Sequence, residues 1–69
     1  MTQIGQQARR IRTQRGESQE AVARHAGVST STYARIENGH NHPSYETLVR
    51  VADALEVPVG ELMAPVPAA

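Results

Sequence analysis

Apolar residues recur at helical spacing in five segments of this chain, with small or polar residues between the segments. Ile4, Ala8 and Ile11 repeat every three or four residues, and Gly16 follows them. This spacing places the three apolar side chains on one face of a helix over residues 2–15. The later segments show similar spacing, so we predict an all-α fold of five helices and no strands.

Two short helices follow, joined by a tight turn. Ser18 is a good N-cap for the second helix, and Gly27 suits the left-handed position at its end. Few residues separate this end from the third helix, so the two must meet at a steep angle, as in a helix-turn-helix. The apolar residues that the second helix buries are Val22, Ala23 and Ala26.

The third helix, residues 29–37, has an apolar side and a polar side. Ser29 is its N-cap, and Asn38 with Gly39 ends it. Its polar side is available to a partner, although an ordinary amphipathic surface helix has the same pattern. At about 100° per residue, the inner arc holds Tyr33, Ile36 and Glu37, and the outer arc holds Ser31, Ala34, Arg35 and Asn38.

The last two helices complete one domain over residues 1–63. After a loop at residues 40–43, Ser44 caps the fourth helix, and a short fifth helix spans residues 58–63. The Ala/Pro-rich residues 64–69 have no apolar pattern, and we expect a disordered tail. The fourth helix buries Leu48, Val51, Ala52 and Leu55, and the fifth offers Val59, Leu62 and Met63.

Composition restricts the class of protein. The 69 residues suffice for one small domain, and the absence of Cys excludes disulfides and thiolate zinc sites. No apolar run approaches the roughly 18 residues of a membrane span, so we expect a soluble, cytoplasmic protein. Four Arg and no acid in the first sixteen residues are also typical of a transit peptide. The helical spacing and Gly16 favour a structural helix instead.

The charge of the chain is unevenly distributed although its formal net charge is zero. Residues 1–42 contain six Arg and three Glu, and residues 43–69 contain one Arg and four acids. The first part therefore carries three net positive charges, which can mark an anion-binding face.

Neither a metal site nor a catalytic site is indicated. His25, His40 and His42 have no Cys or carboxylate at suitable spacing, which makes a poor set of zinc ligands. Ser, His and Asp are all present, but no nucleophile elbow or activated dyad is recognisable. We therefore expect no enzyme activity, no cofactor and no small-molecule ligand.

Four motifs occur together at fixed spacing: SQE at 18–20, AGVS at 26–29, RIENG at 35–39 and PSYETL at 43–48. With their flanking residues from Arg12 to Val57, they resemble the lambda-repressor-like, Cro-type (XRE family) helix-turn-helix domains. The resemblance implies a compact five-helix fold whose third helix docks in the major groove of double-stranded DNA.

The resemblance also implies roles for individual residues. Thr30, Ser31 and Arg35 match positions that reach base edges, with a phosphate contact as the alternative for Arg35. Gln19, Ser29, Asn38 and His40 match positions near the sugar-phosphate backbone, and for Asn38 a plain turn residue is the alternative. Arg12 and Glu37 match a partly buried salt bridge, and the inner position of Glu37 independently calls for a cation.

Three residues depart from the family pattern. Glu17 replaces an apolar residue, Pro58 replaces a polar cap, and Glu56 stands where a Gly often occupies a left-handed position. A residue with a side chain there is disfavoured by roughly 1 kcal/mol. These departures concern the last helix and its contacts, and they lie away from the third helix.

We interpret the chain as a sequence-specific transcriptional regulator, with repression as the expected activity. Useful affinity normally comes from two half-sites about 34 Å apart, so we expect a homodimer through Val59, Leu62 and Met63 of the last helix. A phage-type repressor, a restriction-modification controller and an antitoxin are all compatible with the sequence. A protein–protein interaction module on the same fold is the alternative from a different class.

Overall fold

The computed structural model describes residues 2–40 and 42–67, which form five helices and no strand. This confirms the predicted fold class, and each helix begins within one or two residues of its predicted start. Met1, Asn41 of the predicted loop, and Ala68 and Ala69 of the predicted tail lie outside the described residues. The helices are α1 (Gln3–Gln14), α2 (Gln19–Ala26), α3 (Thr30–Glu37), α4 (Tyr45–Ala54) and α5 (Val59–Met63).

A hydroxyl side chain caps the start of each of the first four helices. In every case its oxygen accepts a hydrogen bond from the amide three residues later, which satisfies an otherwise unpaired donor. Pro58 precedes α5 and supplies no side-chain cap, as expected for a proline in the place of a polar capping residue. The four capping residues are Thr2, Ser18, Ser29 and Ser44.

The same four helices end in the same backbone geometry. Each is followed by a left-handed residue whose amide, together with the next amide, bonds carbonyls of the last turn. Three of these residues are glycines, and the fourth is Glu56 with φ of 59°. Glu56 thus occupies the left-handed position that the family resemblance implied for it. The glycines are Gly16, Gly27 and Gly39.

One apolar core joins the helices. α2 packs against α3 and α4, α1 packs against α3 and α5, and α4 contacts α5. Val22, Tyr33 and Leu55 are fully buried in it, whereas Ile4 is only partly buried at its edge. Because α1 and α2 both support α3, the helix-turn-helix is fixed to the rest of the domain. None of the helices described combines the length and the apolar character needed to cross a bilayer.

The structure corrects the prediction that Val59, Leu62 and Met63 of α5 form an exposed dimer surface. Leu62 is fully buried and belongs to the core, and Val59 is partly buried against that core. Only Met63 is largely exposed, at 54%. The reason is that α5 packs on both α1 and α4, so Leu62 closes the end of the core and is not available to a second molecule.

Two glutamines of α1 hold the end of α5 and the segment after it. The Gln3 side-chain amide donates to the Met63 carbonyl at 2.7 Å. The Gln7 amide, which is 1% exposed, donates to the carbonyls of Ala64 and Pro65 at 3.0 Å each. The segment that we expected to be disordered therefore begins with two carbonyls bound to α1.

Candidate nucleic-acid interface

The polar side of α3 is exposed because its other side is anchored in the core. Tyr33 and Ile36 are 0% and 2% exposed, as the helical arcs predicted. Arg35 is exposed and makes no ion pair with any described residue. The structure places Ser29, Thr30 and Ser31 in exposed positions at the start of the same helix.

α1 lies directly on the last turn of α3. A Cβ atom added to Gly5 would be 2.5 Å from the carbonyl oxygens of both Ile36 and Glu37. Real Cβ atoms do not approach backbone oxygens so closely, so the contact requires glycine at this position of α1. The close approach fixes the end of α3 relative to α1.

Glu37 is the centre of a polar cluster at this contact, although its side chain is fully buried. The Arg12 guanidinium donates from Nε to Oε2 at 2.7 Å and from Nη2 to Oε1 at 3.1 Å. The Gln19 amide donates to Oε1 at 3.0 Å, and Arg9 Nε donates to the same oxygen at 3.3 Å. The ion pair that the resemblance implied for Arg12 and Glu37 is thus present, within a larger network.

This network keeps Glu37 ionised. Burial alone would raise the pKa of Glu37, but hydrogen bonds from Arg12 and Gln19, the nearby Tyr33 hydroxyl and the charge of Arg12 lower it to about 2. Burial raises the pKa of Tyr33, and the neighbouring Glu37 raises it further. The Tyr33 hydroxyl is buried close to Glu37 yet has no hydrogen bond of ordinary geometry with the described residues.

Two of the candidate DNA contacts also belong to this cluster. Gln19 is held by Glu37, and because a carboxylate only accepts, the Gln19 amide nitrogen faces it and the amide oxygen faces away. Asn38 Oδ1 accepts from Arg9 Nη2 at 2.9 Å. Arg9 was not among the site residues predicted from the sequence. A signal was available, since Arg9 precedes Arg12 by three residues and shares its helix face.

The histidines are separate from this cluster. His40 is exposed, and its backbone amide bonds the Arg35 carbonyl at 2.9 Å as part of the end of α3. In residues 2–40 and 42–67, no group of three or more His, Cys, Asp or Glu is arranged to hold a metal ion.

Sequence comparisons identify relatives of the chain. A family model described as "Helix-turn-helix domain" matches residues 3–65. The chain is 40% identical over 45 residues to the cryptic phage CTXphi transcriptional repressor RstR of Vibrio cholerae, covering 65% of this chain and 40% of RstR. It is 36% identical over 64 residues to the transcriptional repressor RghR of Bacillus subtilis, covering 91% of this chain and 47% of RghR. The chain therefore spans about half the length of such curated relatives or less.

Solved structures of two regulators are also similar to this chain. The restriction-modification controller protein C.AhdI of Aeromonas hydrophila superposes with a TM-score of 0.85 at 33% identity, covering 87% of this chain and 91% of C.AhdI. The clp gene regulator ClgR of Corynebacterium glutamicum superposes with a TM-score of 0.85 at 26% identity, covering 88% of this chain and 65% of ClgR. Together with the five helices and the exposed α3, these matches show that the chain belongs to the XRE-like helix-turn-helix family, a family of regulators and not of enzymes.

Proposed function

We propose that this chain is a DNA-binding transcriptional regulator that represses by reading an operator half-site in the major groove with residues 29–37. The observation that carries the proposal is Arg35, an exposed arginine on the outer side of a helix whose inner side is buried. Its guanidinium forms no ion pair with the described residues, so its donors are available to a ligand. RstR and RghR are both named as transcriptional repressors, which favours repression as the activity.

The proposed roles follow from the chemistry of each side chain. Arg35 donates two hydrogen bonds to guanine O6 and N7, a contact worth roughly 1–3 kcal/mol of discrimination. Thr30 and Ser31 reach neighbouring base edges from the first turn of α3. Backbone contacts fix the register of the protein on the duplex, and we assign them to Gln19, Ser29, Asn38 and His40.

We propose a homodimer in the cytoplasm. One domain covers about half a turn of duplex, whereas two half-sites about 34 Å apart provide useful affinity and a symmetric operator. Since Leu62 lies in the core, its side chain is not part of this contact.

A protein–protein interaction module is the second candidate, because the formal net charge of zero gives little general attraction to DNA. The antitoxin hypothesis belongs to this candidate, since an antitoxin needs a protein partner. Salt dependence separates the two classes. Neutralising several phosphates makes the logarithm of affinity fall steeply with the logarithm of salt concentration.

The test is selection from random duplex DNA at low salt, with the wild-type protein, Arg35→Ala and a control variant, Arg50→Ala. Arg50 is also an exposed arginine, but it lies on α4 and pairs with Glu46 at 3.0 Å. We expect a two-fold-symmetric motif that loses one base preference in Arg35→Ala and keeps it in Arg50→Ala. Absence of any enriched motif with the wild-type protein would refute operator binding by this chain.

A further inference from the structure

Arg9 connects α1 to Asn38, the residue that ends α3. Its Nε donates to Glu37 Oε1 at 3.3 Å, and its Nη2 donates to Asn38 Oδ1 at 2.9 Å. The Arg9 side chain is 41% exposed, so it lies at the boundary between the buried carboxylate and the surface. The two bonds use the fork of the guanidinium, and they fix the Asn38 side chain relative to α1.

The bond to Arg9 determines which way the Asn38 amide is turned. A guanidinium has donors and no acceptor, so the Asn38 atom that faces Arg9 must be the oxygen. The Nδ2 group therefore faces away from Arg9 with both hydrogens, and it has no hydrogen bond with the described residues. Without Arg9, the amide could turn over and present its oxygen to a ligand instead.

The surroundings of this pair favour an anion. Arg9 and Arg12 together bring two positive charges to the single negative charge of Glu37, so the cluster keeps one positive charge in excess. Arg9 Nη1 has no hydrogen bond with the described part of the chain, as is the case for Asn38 Nδ2. The exposed edge of the cluster thus offers two donors and a net positive charge.

We propose that Arg9 is a positioning residue that turns the Asn38 amide, and that Arg9 and Asn38 together bind one phosphodiester of DNA beside α3. This inference rests on the proposed function and adds to it a residue that the family resemblance did not assign. A phosphodiester supplies two acceptor oxygens and one negative charge, which match the two donors and the excess charge.

The experiment measures operator affinity as a function of salt for Arg9→Lys, Arg9→Gln, Asn38→Ala and the double variant Arg9→Lys/Asn38→Ala. Lysine keeps the charge but cannot hold Glu37 and Asn38 together through one planar fork. We expect Arg9→Lys and Asn38→Ala each to lose about ten-fold in affinity, as for one hydrogen bond to a charged group. The double variant should lie within about two-fold of either single variant, because the two residues act as one unit.

Base preference and salt slope distinguish this role from a structural one. Phosphate contacts carry no sequence information, so the selected motif should stay the same in all variants. Arg9→Gln should reduce the slope of log affinity against log salt by about 1, and Arg9→Lys should leave the slope unchanged. Arg15→Lys is the matched control, since Arg15 also lies at α1 and bridges two partners, Glu17 and Glu56. It should keep wild-type affinity.

Several results would overturn the inference. Wild-type affinity in Arg9→Lys, or losses that multiply in the double variant, would show that Arg9 does not act through Asn38. An NMR measurement on the free protein checks the same link without DNA, because the Asn38 side-chain amide resonances should shift in Arg9→Lys and stay in place in Arg15→Lys. If the wild-type protein binds no duplex while the NMR link is present, the proposed function and the phosphate contact fail, and only the positioning of Asn38 stands.

Discussion

The ends of α3 and α4 share one backbone geometry and differ in what surrounds it. After α3, the amides of Gly39 and His40 bond the carbonyls of Ile36 and Arg35 at 3.1 and 2.9 Å. After α4, the amides of Glu56 and Val57 make the equivalent bonds at 3.0 Å each. The left-handed residue is glycine at the first end and glutamate at the second.

The difference between the ends lies in their neighbours. The end of α3 is in backbone contact with α1 at Gly5 and contains the buried carboxylate of Glu37. At the end of α4 the left-handed residue points to solvent: the Glu56 side chain is 71% exposed, and among the described residues its ion pair is with the Arg15 guanidinium at 2.6 Å. Charge and size are therefore constrained at the end of α3, whereas the end of α4 tolerates departures from the family pattern.

The largest expected effect comes from removing the buried charge. Glu37→Gln keeps the size of the side chain but leaves Arg12, whose side chain is 15% exposed, without its counter-ion. We expect a loss of about 3–5 kcal/mol in the free energy of unfolding, measured by urea denaturation. The control is Glu56→Gln, which breaks an exposed ion pair and should cost at most about 1 kcal/mol. Equal losses in the two variants would remove the distinction between the two ends.

Acid should remove the stabilisation that the ionised Glu37 carboxylate gives to the wild-type protein. The pKa of Glu37 is lowered from 4.5 to about 2 on folding, so the unfolded chain takes up the proton first. The contribution, about 3 kcal/mol, is complete above pH 4.5 and is lost as the pH falls to 2. We therefore expect the stability difference between wild type and Glu37→Gln to shrink by about that amount over this range. A difference independent of pH would contradict the assignment of the charge to Glu37.

Two helical glycines provide the next comparison. Gly5→Ala would put a methyl group against two backbone oxygens and should cost about 2 kcal/mol or more, since α1 and α3 must move apart. Gly60→Ala in α5 meets no atom within 4 Å and should stabilise by roughly 0.5–1 kcal/mol through helix propensity. Thermal unfolding of both variants measures the two changes in stability. A gain in stability in both variants would show that the α1–α3 contact is not tight.

The helix ends illustrate what the sequence predicts and what it does not. Ser18, Gly27 and Ser29 act through their own backbone neighbourhood, so their type and spacing suffice to place α2 and α3. The inner position of Glu37 was predicted by the helical period, and its need for a cation followed from burial.

Other features depend on contacts that are distant along the chain. Gln7 is polar, yet it is buried because it binds carbonyls 57 and 58 residues away. Arg9 is likewise explained by partners 28 and 29 residues away. Leu62 was assigned to a surface because the pattern of a five-residue helix does not show which face packs on α1 and α4. Local pattern therefore predicted the helices, whereas these long-range contacts required the folded chain.

The smallest expected effect separates the backbone at Glu56 from its side chain. Glu56→Ala and Glu56→Gly both remove the ion pair with Arg15, but only glycine adopts φ of 59° without strain from a Cβ atom. We expect the Gly variant to be more stable than the Ala variant by about 1 kcal/mol, measured by urea denaturation. The difference between Glu56→Ala and wild type then gives the exposed ion pair alone, at about 0–1 kcal/mol. If the Ala and Gly variants were equally stable, left-handed strain would not distinguish the end of α4 from that of α3.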